Sequence, residues 1–204
     1  LMRVLPEKFI EFDVKTNTVK LNALRAVTTT LSEIFGFAAG PLPDMAMDGY
    51  GKANLHIKNK NTDIKKAAQL NGKVEILSAT NVRHKDLALP VDTATGEVLF
   101  KGTQIEYDIN GVMKLSPLKV TGYSSIPDAT SNLTLTTKST PLDSGLYLIN
   151  NSPLLSKAKE NLKLIKQANG TADLTIFLTG KNETEFTASG NMKTKDASVL
   201  LEGF

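Results

Sequence analysis

The two histidines are the first residues to consider for chemistry, because imidazole is a common general base and metal ligand near neutral pH. His56 lies on the polar side of an alternating stretch whose other side carries Ala53, Leu55 and Ile57, and His84 lies among charged residues. Neither belongs to a metal-binding spacing such as His-x-x-x-His. We interpret both as ordinary surface residues, and we predict no metal and no cofactor.

Carboxylates are the second candidates, and Glu97, Glu106 and Asp108 form their densest group. They alternate with apolar residues and have Lys101 nearby, which is typical of the polar side of a β-sheet. The sequence has no cysteine, no nucleophile elbow, no phosphate-binding loop and no dinucleotide fingerprint. We therefore predict that the chain is not an enzyme.

Composition narrows the possible partners. The 204 residues carry a net charge of +3, and the lysines are scattered, so we predict no nucleic-acid partner. No apolar run approaches the roughly 20 residues that span a bilayer. Because the chain begins at Leu1 rather than at a start methionine, we expect it to be a piece of a longer protein.

A pattern occurs twice along the chain. GKANLHIKNKN begins at Gly51 and GTADLTIFLTGKN begins at Gly170, so both share Gly-x-Ala-Asx-Leu followed by alternation. A second glycine-started stretch follows 21 residues later at Gly72 and 20 residues later at Gly190. This similarity indicates an internal repeat, which is typical of stacked, modular architectures.

The coarse elements follow from the period of the apolar residues. The start of the chain predicts a strand pair with a turn near Asn17, and residues 21–35 have the three-and-four spacing of an amphipathic helix stopped by Gly36. Residues 38–44 are predicted as a loop. A second helix is predicted from Ser152, as N-cap, to Asn169, with Pro153 in its first turn.

The remaining stretches alternate and are bounded by Gly, Asn or Pro, which predicts strands. The pattern of residues 82–90 is ambiguous, and we interpret this segment as a loop plus a short strand. We divide the chain into 1–48 (strands and helix), 49–151 (first β-repeat) and 152–204 (helix and partial second repeat). The predicted strands are 52–58, 72–79, 96–101, 103–109, 111–115, 118–124, 131–137, 171–178, 185–188, 190–194 and 198–202.

Most of these strands have one aliphatic side, and short connections favour antiparallel neighbours. The sequence therefore predicts a mainly β protein with a long antiparallel sheet and two amphipathic helices. Its apolar face either packs in a sealed sandwich or curls into an open groove that takes an apolar ligand. The residues predicted to line the groove are Leu55, Ile57, Val74, Ile76, Val98, Phe100, Ile105, Tyr107, Leu118, Val120, Leu133, Leu135, Leu174 and Ile176.

Several stretches resemble the AsmA-like superfamily, which includes TamB-type and DUF3971-type envelope proteins of Gram-negative bacteria. The similarity lies in GKANLHIKNKN, LNGKVEILSATNV, ATGEVLFKG (residues 94–102) and LSPLKVTGYSSIPDATSNLTLTT, and it extends from about Leu21 to the end. The second copy stops before the Leu-Phe-x-Gly element.

The resemblance implies a long, curved, U-shaped (β-taco-like) antiparallel sheet whose apolar groove conducts phospholipids through the periplasm. The full-length protein would be anchored in the inner membrane, through parts outside this chain, and would contribute to outer-membrane biogenesis. The alternative is a structural or adhesive β-repeat module of an envelope or surface protein.

Two further expectations concern variants and edges. In an open groove, a charge at Ile57 or Phe100 would block lipid passage while the sheet still forms. Exposed strand edges template pairing, so we also expect edge-to-edge self-association through residues 9–14 at one end and the last strand at the other.

Overall fold

The computed structural model describes residues 2–5, 9–35, 45–59, 69–85, 87–125, 130–155, 159–160, 162–181 and 186–202. Within these ranges the chain is mainly β-structure. The elements are β1 (Met2–Leu5), β2 (Phe9–Lys15), β3 (Val19–Lys20), α1 (Leu21–Phe35), β4 (Met45–Asn59), β5 (Gln69–His84), β6 (Val91–Gly102), β7 (Gln104–Met113), β8 (Ser116–Ser125), β9 (Thr130–Pro141), α2 (Leu142–Asn151), β10 (Ile165–Lys181) and β11 (Phe186–Leu201).

All the strands belong to one antiparallel sheet in the order β1-β2-β4-β5-β6-β7-β8-β9-β10-β11, with β3 beside β4. From β4 to β11, each strand pairs with the next strand along the chain, as the short connections predict. In the described part of the chain β1 and β11 do not pair with each other, so the sheet is open. The predicted long antiparallel sheet with two helices is confirmed.

The predicted strand pair at the start of the chain is wrong, because β2 and β3 pair with β4 and not with each other. Val14 lies opposite Leu55, and Val19 lies opposite Gly51. Between them, the Thr16 amide donates to the Ala53 carbonyl at 2.8 Å and the Ala53 amide donates to the Thr16 hydroxyl, also at 2.8 Å. Residues 16–18 therefore stay beside β4 instead of turning back.

The first edge of the sheet also differs from the prediction. We expected residues 9–14 to be exposed for pairing, but β1 pairs with Phe9–Phe12 and covers that side of β2. The outermost strand at this end is therefore the four-residue β1. At the other end the outermost strand is β11, as predicted.

Several predicted strands turn out to be parts of longer ones. Most of segments 103–109 and 111–115 lies in the single strand β7, and the described residues 186–201 of the last three segments form β11. Residues 82–84 extend β5, and residues 87–90 form the connection to β6. The glycines that were interpreted as boundaries, Gly111 and Gly190, lie inside these strands, because pairing with neighbouring strands keeps the backbone extended. The predicted loop at 38–44 lies outside the described residues.

The second predicted helix is wrong in position. α2 ends at Asn151, and the amide of Ser152 donates to the Leu148 carbonyl at 3.0 Å. Pro153–Leu155 is a single 3-10 turn, residues 159, 160 and 162 are helical, and β10 begins at Ile165. Residues 165–169 pair with the end of β11, and this long-range ladder outweighs their local helical pattern.

The core lies between α1 and one face of β4–β7. Gly51 brings helix and sheet together, because an added Cβ would lie only 2.7 Å from Leu21 Cδ2 and 3.2 Å from Leu24 Cδ1. Both leucines are buried. The buried residues of this cluster are Leu21, Leu24, Met47, Ala53, Leu55, Ile57, Leu70, Ala79, Val82, Ala94, Val98, Phe100 and Ile105.

The two copies of the repeated pattern occupy similar places in the fold. α1 contacts β4, whose pattern begins at Gly51, and α2 contacts β10, whose pattern begins at Gly170. Ala53 and Ala172, which occupy the same position of the pattern, are both 2% exposed. The segments 1–48, 49–151 and 152–204 all contribute strands to the same continuous sheet.

Candidate functional site: the apolar face of the sheet

Strand register determines which side chains share a face, because directly paired residues and alternate residues along a strand point the same way. Val98 is paired with Tyr107, Val120 is paired with Leu135, and Leu135 is also paired with Ile176. Extended over all strands, the register places every predicted lining residue on one face, which we call the apolar face. These are Leu55, Ile57, Val74, Ile76, Val98, Phe100, Ile105, Tyr107, Leu118, Val120, Leu133, Leu135, Leu174 and Ile176.

The opposite face carries His56, Glu97, Glu106 and Asp108, which first suggested chemistry, and here each forms a hydrogen bond or an ion pair with a side chain of a neighbouring strand. His56 is bound to Asp13, and the carboxylates Glu97, Glu106 and Asp108 each have a lysine partner. We call this side the ion-paired face. The cross-strand pairs are Lys58–Glu11 at 2.6 Å, His56–Asp13 at 2.8 Å, Lys73–Glu97 at 3.2 Å, Lys101–Glu106 at 2.7 Å and Lys119–Asp108 at 3.2 Å.

These pairs are exposed to solvent, so each contributes little to the stability of the fold. The hydrogen bond from Lys58, together with its charge, holds the pKa of the Glu11 carboxyl below its ordinary value. His84 lies apart, in a cleft of about 520 Å³ with Arg83 and Lys85. In the part of the chain that the structure describes, there is no cluster of three or more potential metal ligands.

The apolar face divides into two parts by burial. On β4–β7, Leu55, Ile57, Val98, Phe100 and Ile105 are at most 8% exposed, and we call this the sealed half. On β7–β10 the lining residues are only half-buried, and we call this the open half. The open half consists of Tyr107, Leu118, Val120, Leu133, Leu135, Leu174 and Ile176. Val74 and Ile76 are half-buried and pack against the core beside the sealed half.

This division changes the expectation for charged variants. Ile57 is 0% exposed and Phe100 is 3% exposed, so neither side chain has room to turn toward water. The expectation that a charge at either position leaves the sheet intact applies to an open groove, and the burial of these two side chains favours unfolding of the charged variants instead. Val120, Leu135 and Ile176, in the open half, are the positions where a charge can be tolerated.

α2 packs against β9 and β10. The helix starts directly after β9, and at its far end the Ser152 hydroxyl accepts a hydrogen bond from the Ala88 amide at 2.9 Å. Ala88 belongs to the β5–β6 connection. Ten helical residues span about 15 Å, which matches about three strand spacings of roughly 4.8 Å. α2 therefore packs against β9 and β10 and is tied to the β5–β6 connection through Ser152, a feature that the sequence analysis missed because it placed Ser152 at the start of a helix.

Among the described residues, the hydroxyl groups of Tyr107 and Ser116 are buried with no partner in hydrogen-bond geometry. Tyr107 lies at the boundary between the sealed and open halves. Burial raises the pKa of its hydroxyl, and the nearby Ser124 hydroxyl offsets this only partly. Its neutral form is therefore favoured in the folded state, and its contribution to stability is lost as the pH rises beyond about 10.

Tyr107→Phe is expected to keep or slightly raise the free energy of unfolding, by up to about 1 kcal/mol. Removing a buried donor that has no partner removes its desolvation cost and leaves the ring packing unchanged. Urea unfolding of the variant at neutral pH measures the effect. Tyr123→Phe, on the exposed side of β8, is the control and should be neutral. A loss of more than 1 kcal/mol in Tyr107→Phe would show that the hydroxyl has a stabilising partner.

Neither a membrane helix nor a known relative assigns a role to the apolar face. Among the described residues, no helix is long and apolar enough to cross a membrane. The chain matches no protein-family model, no curated protein and no solved structure.

Proposed function

We propose that the chain is a non-catalytic segment of an AsmA-like envelope protein and that it conducts phospholipids along the open half of the apolar face. The observation that carries the proposal is a half-buried aliphatic surface that continues across four strands, with polar and charged side chains on the opposite face. Soluble proteins seldom expose a contiguous apolar surface without a ligand or partner.

The open half suits acyl chains in its length across the strands and in its aliphatic side chains. Ile109, Val120, Leu135 and Ile176 are paired in one row across β7–β10. Three strand spacings make this row about 14 Å long. Each methylene buried on such a surface contributes about 0.8 kcal/mol. Because the row offers similar aliphatic contacts along its length, a chain can slide without a deep energy minimum while its headgroup stays in water.

The site of action in this proposal is the periplasm. The partner is a phospholipid or another acyl-chain lipid, and parts of the full-length protein outside this chain supply the inner-membrane anchor. These points come from the resemblance of GKANLHIKNKN and ATGEVLFKG to the superfamily. No nucleophile and no metal is required, because the lipid leaves chemically unchanged.

A matched pair of variants on β9 tests the proposal. Leu135→Asp places a carboxylate in the middle of the open half, whereas Thr136→Asp places it on the ion-paired face, opposite Lys119. Purified chains are extracted and their lipids quantified by mass spectrometry. The original chain and Thr136→Asp should retain phospholipid, and Leu135→Asp should lose at least about 80% of it, because an unpaired charge in an apolar path is costly.

Circular dichroism of all three chains checks that the sheet has formed. If the original chain carries no lipid, or if Leu135→Asp retains as much lipid as Thr136→Asp, the conduit proposal fails. The alternative, a structural or adhesive β-repeat module, is favoured by the sealed half, whose burial needs no ligand. That alternative gains support if all three chains are folded and lipid-free.

A further inference from the structure

The last strand, β11, differs from the other long strands in its exposure. It has 16 residues, within the described part of the chain it pairs only with β10, and its side chains from Ser189 to Leu201 are exposed. Met192 is 62% exposed and continues the apolar face beyond Leu174, its partner on β10. The free side of such a strand presents unpaired backbone amides and carbonyls, which can accept another strand.

The charges on β11 indicate what kind of strand would fit. Lys193 and Lys195 lie on the ion-paired face, where they are paired with Asp173 and Thr171 of β10. Within the described residues neither lysine forms an ion pair, and the Asp173 carboxylate instead accepts the Ser139 amide at 2.8 Å.

Elsewhere on this face a cross-strand lysine meets a carboxylate of the next strand. Lys58 pairs with Glu11 at 2.6 Å, and Lys101 pairs with Glu106 at 2.7 Å. β11 therefore carries lysines on the ion-paired face, as β4 and β6 do, but within the described residues no carboxylate of a neighbouring strand pairs with them.

We propose that β11 binds one further strand from another protein in antiparallel register. The bound strand carries acidic residues at two alternate positions, opposite Lys193 and Lys195, and an aliphatic residue opposite Met192, next to the acidic residue that faces Lys193. Pairing of β11 with its own copy around Thr194 is disfavoured, because it would oppose lysine to lysine. This proposal does not depend on lipid conduction.

The probe is a synthetic peptide with the sequence of β7, Gln104–Met113, in which Glu106 and Asp108 alternate with Ile105, Tyr107 and Ile109. A second peptide has lysine at both acidic positions. Binding is measured by calorimetry at low salt, and amide hydrogen exchange locates the bound strand. The acidic peptide should bind at least about fivefold more tightly than the lysine peptide, since opposite-charge cross-strand pairs are favourable and like-charge pairs are unfavourable.

Reversing the charges on the protein sharpens the test. The double variant K193E/K195E should prefer the lysine peptide. The control is K15E/K20E, which changes the total charge by the same amount at two exposed lysines on β2 and β3 and should not alter the preference. Amide protection should appear on β11, and the preference should weaken in 1 M salt. Equal affinity for both peptides, no binding, protection elsewhere, or self-association of the chain in place of peptide binding would each overturn the proposal.

Discussion

Replacement of Phe100 by Asp is expected to unfold the chain. Phe100 is 3% exposed, lies between Gly72 and Ile105 on the neighbouring strands, and belongs to the buried core cluster. A carboxylate there has no partner, and burying it costs several kcal/mol. That cost is comparable with the roughly 5–15 kcal/mol by which a domain is stable. Far-UV circular dichroism and urea unfolding measure the loss.

Two control variants separate charge from packing. Phe100→Leu keeps the site apolar and should lose about 1–2 kcal/mol and remain folded. Leu135→Asp carries the same charge in the open half and should keep its sheet, because the side chain can turn toward water. Native circular dichroism and an unchanged urea midpoint in Phe100→Asp would mean that the sealed half is open to solvent.

Gly96→Ala is expected to lower the free energy of unfolding by about 2–4 kcal/mol. Gly96 lies inside β6 with φ +142°, a conformation that side-chain-bearing residues rarely adopt, and an added Cβ would lie 2.2 Å from the Asp108 carbonyl oxygen of β7. The two strands would have to separate at the row that contains Ile76 and Ile109. Thermal and urea unfolding of the variant measure the loss.

Gly145→Ala is the matched control. Gly145 lies in α2, and an added Cβ there meets no atom within 4 Å. Alanine favours helix over glycine by up to about 1 kcal/mol, so this variant should be slightly more stable than the original chain. If both variants shift stability by the same amount and sign, the close approach of β6 and β7 at Gly96 does not hold.

The sequence alone determined which side of each strand is apolar. Alternation places Val120 and Leu135 on one side and Lys119 and Thr136 on the other, and this follows from the two-residue period of a strand wherever the strand lies. α1 was also predictable from sequence, because its stripe, its length and its glycine stop are all local. These features require no knowledge of neighbouring strands.

Where the local sequence pattern and pairing with a distant strand favour different elements, the tertiary structure decided which element forms. Ser152-Pro153 and Asn169-Gly170 are good helix boundaries, yet residues 165–169 pair with β11, since a ladder with a distant strand outweighs the local preference. α2 was missed although Leu142, Leu146 and Ile149 have helical spacing. β2 and β3 likewise follow β4, through hydrogen bonds between Thr16 and Ala53 that no local pattern encodes.

Only the tertiary structure decided which part of the apolar face is covered. Phe100 and Leu135 have the same alternating environment in sequence, but Phe100 is buried in the core near α1 and Leu135 is half-buried. Whether a side chain is covered depends on residues that are far away in the sequence and pack above it. For example, Leu21 and Leu24 of α1 reach β4 because Gly51 has no side chain. Alternation gives the direction of a side chain, whereas its burial depends on contacts made across the whole fold.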